Sequence, residues 1–182
     1  MDTFRAGRQL RLIAEVLATS AACEVPVWLR GGWAMDFFLG EVTRDHRDID
    51  WFAWAGDAER LGAELARRGY RPVAGLPPEQ QLDMLKDGQD LSFNLIRRDG
   101  SGRVVVGGGP WAGSPWPEDL LEPHTGRIGS LSCPIIAPRA QIEIKRMMPV
   151  WVPGSPRRAK DAEDIARLEA ALAAGGPERP PP

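Results

Sequence analysis

Residues 27–54, VWLRGGWAMDFFLGEVTRDHRDIDWFAW, constrain the fold more than any other stretch of the chain. An apolar run, VWL, stops at Gly31-Gly32, and a short apolar segment, WAMDFFLG, follows. The polar turn EVTRDHR then leads into Asp48-Ile49-Asp50. The pattern predicts strand, glycine turn, short helix, loop and strand. Aspartates at i and i+2 on a strand project from one face, about 7 Å apart at the backbone. Like charges this close repel, so such a pair is suited to sharing a cation. All-oxygen ligands suit Mg²⁺, which takes one or two protein carboxylates together with substrate phosphates. Gly31 and Gly32 let backbone N–H groups approach an anion at the electropositive mouth of the following helix.

A phosphate cradle followed by a metal-holding carboxylate pair points to phosphoryl or nucleotidyl transfer. The ordered set GGWAMDFFLG…TRDHRDID resembles the nucleotidyltransferase superfamily, whose signature is a GG or GS turn followed by Asp-x-Asp. Within it, the wording is similar to the aminoglycoside and lincosamide O-nucleotidyltransferases and their relatives. A looser echo, PRRAKDAEDIARL at 156–168, resembles a C-terminal helix of those proteins. The resemblance implies an α/β fold, polymerase-β-like, with a small mixed β-sheet, flanking helices and short C-terminal helices. It implies transfer of a nucleoside monophosphate, AMP from ATP, to a hydroxyl of a small molecule such as an antibiotic. Mg²⁺, as two ions, would be the cofactor. It also implies that Lys160 faces the triphosphate and that a third carboxylate completes the metal site or acts as base.

Arg44 and His46 sit between the glycines and the aspartates. They read either as cationic groups contacting phosphate and ordering the pair, or as structural residues. Asp36 reads as a carboxylate that bonds nearby backbone or Arg44. For the third acid, Asp90, Ser92 and Asn94 share one face of a strand, with Leu91, Phe93 and Leu95 on the other. Asp90 is the acid among them and the candidate for catalysis and metal binding, and Asp83 on the partner strand is the alternative. If Ser92 holds the third-acid position, the base is missing. The rival function is then a weak or inactive nucleotide-binding or regulatory protein, or an antitoxin-like member acting on a partner protein.

The 182 residues fit one domain, with a core over 1–106, an extension over 107–174 and a disordered tail at 175–182. The formal net charge of −2 offers no basic field to draw nucleic acid or membrane. Cys23 and Cys133 read as free thiols. With no signal peptide and no apolar run near 20 residues, the cytoplasm is the expected compartment, and the chain a monomer or homodimer.

Residues 3–22 predict an amphipathic helix with Leu10, Ile13, Val16, Leu17 and Ala21 inward and Arg5, Arg8, Arg11 and Glu15 outward. A helix is expected over 57–68, capped by Asp57 and closed by Gly69. Strands follow at 70–73, 81–86, 90–96 and 103–106, with Asp87-Gly88 as a hairpin turn. They are expected to add antiparallel neighbours to the Asp48–Asp50 strand. The Gly-, Pro- and Trp-rich segment 107–123 reads as a loop whose Trp111 and Trp116 either stack on a ligand or pin the loop. A short hairpin over 126–136 and helices over 137–148 and 157–173 complete the chain, with 149–156 breaking the two. Lys145 is a weaker phosphate candidate than Lys160.

Overall fold

Strand alternation decides how the sheet faces its two surroundings. The computed structural model describes residues 2–152, 154 and 158–175. Its strands are β1 (Val27–Arg30), β2 (Asp48–Trp54), β3 (Arg71–Pro72), β4 (Gln81–Lys86), β5 (Gln89–Arg98), β6 (Val104–Val106), β7 (His124–Ile128) and β8 (Leu131–Ile135). They form one mixed sheet in the order β3-β4-β5-β2-β1-β8-β7, with β6 on the far end of β5. Both 1–106 and 107–174 therefore contribute strands to the same sheet. The helices are α1 (Thr3–Ala22), α2 (Gly31–Leu39), α3 (Ala58–Arg67), α4 (Pro138–Trp151) and α5 (Ala159–Ala173).

On one face Leu29, Ile49, Trp51, Leu91 and Phe93 pack with Ile13 and Val16 of α1, Leu61 and Leu65 of α3 and Leu168 of α5. On the other, Phe52 and Ile96 pack with Leu120, Ala140 and Ile144, and Trp116 and Trp151 lie against them. The N-terminal half of that second face, from Asp48 and Asp50 to Asp90 and Ser92, stays polar and is not roofed over.

Four expectations need correction. β5 runs parallel to β2, not antiparallel. The chain reaches the outer position first as β4 and turns back through Asp87 and Gly88, whose φ of 51° and 69° match a tight hairpin. The pleat still brings Asp90, Ser92 and Asn94 onto the face of Asp48 and Asp50. Of the expected inward side of α1, Ile13 and Val16 are buried and Leu10 and Leu17 pack against the core, but Ala21 is exposed and Gln9, Leu12, Thr19 and Ser20 are buried as well. Polar groups can sit on that side because they find backbone partners: Thr19 Oγ1 donates to the Glu15 carbonyl and Ser20 Oγ to that of Val25. Asp57 makes no side-chain cap to α3 and pairs instead with Arg60 at 2.7 Å. Finally, α4 carries Pro149 inside its last turn and continues through it to Trp151.

Cys23 and Cys133 are free. Among the described residues no helix is long and apolar enough to cross a membrane. The tail, from residue 176 on, lies outside the described residues, as do residues 156 and 157.

Leu168 is fully buried and fastens α5 to the core. Leu168→Ala is expected to lower unfolding free energy by about 2–5 kcal/mol, measured by urea titration. A loss well under 1 kcal/mol would show that α5 does not depend on this contact.

Candidate active site

Four neighbouring strands place one polar row across the open face. Arg30 of β1 stands opposite Asp50 of β2, Asp50 opposite Ser92 of β5, and Ser92 opposite Asp83 of β4. Asp48 stands opposite Asp90. Ser92 Oγ donates to Asp50 Oδ1 at 2.7 Å. Asp83 is held by Gln81 Nε2 at 2.6 Å and by the Leu76 N–H at 3.3 Å. Asp48, Asp50, Asp83, Asp90 and Ser92 line one pocket of about 530 Å³. Among the described residues no three His, Cys, Asp or Glu side chains are gathered closely enough to hold a metal ion. Asp90 is exposed and level with Asp48, and the side chain against Asp50 is a hydroxyl.

Burial and then the charge of Asp50 push the Asp48 carboxyl above its ordinary range, with Lys160 pulling it back. A cation between the two aspartates would relieve that repulsion. The turn beside them leaves it room. Gly31 has φ of 70°, and a Cβ there would lie 2.9 Å from Asp50 Oδ2. The first N–H groups of α2 have no side-chain cap, so they remain available to an anion. The residues therefore fit Mg²⁺ held by Asp48 and Asp50 beside a phosphate cradle.

Behind the turn the arrangement is closed. A Cβ on Gly32 would fall 2.5 Å from the His46 ring and 2.7 Å from Arg44 Nη2. His46 is buried against Trp33, with ring centroids 4.5 Å apart. Its Nε2–H donates to Asp36 Oδ2 at 2.6 Å, and its Nδ1 accepts from Arg44 Nη1 at 3.1 Å. Asp36, fully buried, also accepts from the backbone N–H and hydroxyl of Thr43. Its partners are thus Thr43 and His46, not Arg44. Arg44 instead forks onto Asp164 of α5, at 3.2 and 2.8 Å, and Lys145 of α4 reaches the same carboxylate at 2.8 Å. Lys145 is thereby committed to Asp164 and, at 3.6 Å, to Asp161. Lys160 stands exposed at the start of α5. Burial and the neighbouring Arg158 and Arg44 lower its pKa, opposed by Asp48 and Asp161.

The model of the aminoglycoside-2''-adenylyltransferase family matches residues 12–168. The chain belongs to that family. A 2''-aminoglycoside nucleotidyltransferase of Klebsiella pneumoniae is 50% identical over 50 residues, 28% of this chain and 26% of that protein. A lincosamide resistance protein of Staphylococcus haemolyticus is 35% identical over 60 residues, 32% of this chain and 37% of that protein. The matched segments thus span about a quarter to a third of the length of these curated relatives. The fold is that of ANT(2'')-Ia in complex with adenylyl-2''-tobramycin, with a TM-score of 0.72, 23% identity and coverage of 92% of this chain and 91% of that one. The lincosamide adenylyltransferase LnuA, lincomycin-bound, gives 0.66 at 21% identity, over 86% and 93% of the two chains.

In this family member two residues near the site escaped the sequence reading. Arg30 faces Asp50, donates to Asn94 Oδ1 and lies 4.6 Å from the Phe52 ring centroid. Its signal was parity, because Arg30 shares the open face with Trp28 on a strand whose other residues are buried. Asp164, 1% exposed, lies within the segment PRRAKDAEDIARL, but its partners, 19 and 120 residues away, could not be read from it.

Burial alone would raise the Asp164 pKa, but hydrogen bonds from Arg44 and Lys145 outweigh it and hold the group below its ordinary value. Its folded pKa being depressed, Asp164 contributes stability above the unfolded pKa of about 3.9, and the contribution fades as pH falls through the lower folded value. Asp164→Asn is expected to cost about 3 kcal/mol near pH 7, with the gap to wild type closing only below about pH 4, followed by denaturant unfolding across pH.

Proposed function

We propose that the protein transfers a nucleoside monophosphate, AMP from ATP, to a hydroxyl group of a small molecule, with an antibiotic as the acceptor class. The observation that supports this best is the aspartate pair beside a glycine turn whose helix N–H groups are uncapped. Asp48 and Asp50 would hold the metal, and Gly31 and Gly32 would seat the phosphates through backbone N–H groups. Mg²⁺ bound there, as one ion or two, supplies charge neutralisation for the phosphoryl oxygens during an in-line displacement. Lys160 lies toward Asp48 and neutralises the triphosphate. Arg44 and His46 act from behind the turn: they hold Gly32 and α5 in place rather than touching phosphate. The acceptor oxygen bonds to the α-phosphorus as the bond to pyrophosphate breaks. Asp90, level with Asp48 and open to solvent, takes the hydroxyl proton.

One observation favours a second reading. Ser92, not an acid, makes the direct contact to Asp50. On that reading the chain binds nucleotide but lacks a base and turns over slowly.

Pyrophosphate release separates the two. Asp90→Asn is expected to lower turnover about 10²–10⁴-fold with nucleotide affinity retained. Full turnover in Asp90→Asn, or a gain in Ser92→Asp, would favour the second reading. The double change Asp48→Asn/Asp50→Asn is expected to abolish Mg²⁺-dependent binding of a non-hydrolysable ATP analogue in calorimetry. Lys160→Ala should cost about 1.5–3 kcal/mol of nucleotide binding and leave the melting temperature unchanged.

A further inference from the structure

One carboxamide beside the site is left without the bond it needs. Gln141, near the start of α4, is 3% exposed, and among the described residues its Oε1 has no hydrogen-bond partner. Buried carbonyl oxygens are nearly always bonded, because an unmet acceptor loses its water and gains nothing in exchange. Gln9 Oε1 is unpartnered too, but Gln9 borders none of the cavities beside the site.

Gln141 borders a cavity of about 90 Å³ that lies against the glycine turn and is shared with Gly31 and Asp50. A single water needs about 10–15 Å³ of such space, so there is room for a group the size of a pentose ring. Ile136, Ile144 and Met148 make one side of it apolar. Three cationic side chains also border it, Arg30, Lys145 and Arg158, and each is engaged elsewhere. Arg30 donates to Asn94, Lys145 to Asp164 at 2.8 Å, and Arg158 to Asp161 at 2.7 and 3.1 Å. The donor that Gln141 lacks is therefore left to a bound molecule.

The chemistry of the unmet atom selects that molecule. An acceptor repels phosphate oxygens and requires an O–H or N–H. Asp50 and Asp161 border the same cavity and disfavour a further anion there. A nucleotide whose phosphates lie on the Gly31-Gly32 turn carries suitable donors close to its α-phosphate, the hydroxyls of its ribose, on a ring whose C–H groups suit Ile136 and Ile144. We propose that Gln141 Oε1 accepts a hydrogen bond from a ribose hydroxyl and so positions the sugar beside the turn. The proposal rests on the nucleotide-binding part of the transfer reading and adds to it the recognition of the sugar.

The test is calorimetry on the full chain with Mg²⁺, comparing a non-hydrolysable ATP analogue with its 2',3'-dideoxy counterpart. Wild type is expected to bind the ribose form at least about 5-fold tighter, because without the hydroxyl Oε1 stays unmet. Gln141→Leu, close in volume, is expected to weaken the ribose form by about that factor and leave the dideoxy form unchanged, which erases the preference. Its melting temperature is expected to hold or rise, since an unpaired buried amide gives way to an apolar side chain. Loss of affinity on removing the 2'- or the 3'-hydroxyl alone would support the contact and identify the oxygen. Equal affinity for the ribose and dideoxy forms in wild type would show that solvent alone satisfies the amide. That result, or a preference that survives Gln141→Leu, would overturn the proposal and leave nucleotide binding standing. Failure of both analogues to bind would overturn the nucleotide reading itself, and the proposal with it.

Discussion

The buried chain of charge behind Gly32 is the interaction on which the site depends. Asp36 accepts from Thr43 and His46, His46 accepts from Arg44, and Arg44 and Lys145 converge on Asp164. It joins α2, the loop before β2, α4 and α5. Burying ionic groups is costly unless each is paired, and here the pairing leaves neither carboxylate without partners. The consequence is geometric. Gly32 is pressed against the His46 ring, so the turn cannot drift, and α5 is held so that Lys160 lies in the field of Asp48.

On the front of the turn the electrostatics are the reverse. Asp48 and Asp50 face each other's charge, and burial pushes Asp48 up further. Arg30 supplies a compensating charge to Asp50, and its own pKa is lowered by burial although the aspartates oppose the shift. A rigid back and a strained front are what a site needs if the ligand is to bring the missing charge. Cation and nucleotide together would complete what the chain leaves unbalanced.

Reading along the chain recovered what local rules govern. The glycine turn, the i and i+2 aspartates, the hairpin at Asp87-Gly88 and the alternation of 90, 92 and 94 each depend on residues within a few positions of one another. The buried side of α1 extends to Gln9, Thr19 and Ser20, which look like surface residues until their backbone partners are known. The direction of β5 was misjudged because adjacency in a sheet depends on where β4 lies, which no local pattern reports.

The sequence by itself determined the local layout of the site, since an i, i+2 aspartate pair and a glycine turn in fixed order carry their geometry with them. The tertiary structure decided how the residues around that layout are paired. It turned His46 and Arg44 inward onto Asp36 and Asp164, tied up Lys145, brought Arg30 to the front, and set Ser92 rather than an acid against Asp50. The physical reason is that pairing of polar groups as far as 120 residues apart depends on sheet order and helix docking. Those follow from how the whole core closes and leave no trace in spacing along the chain.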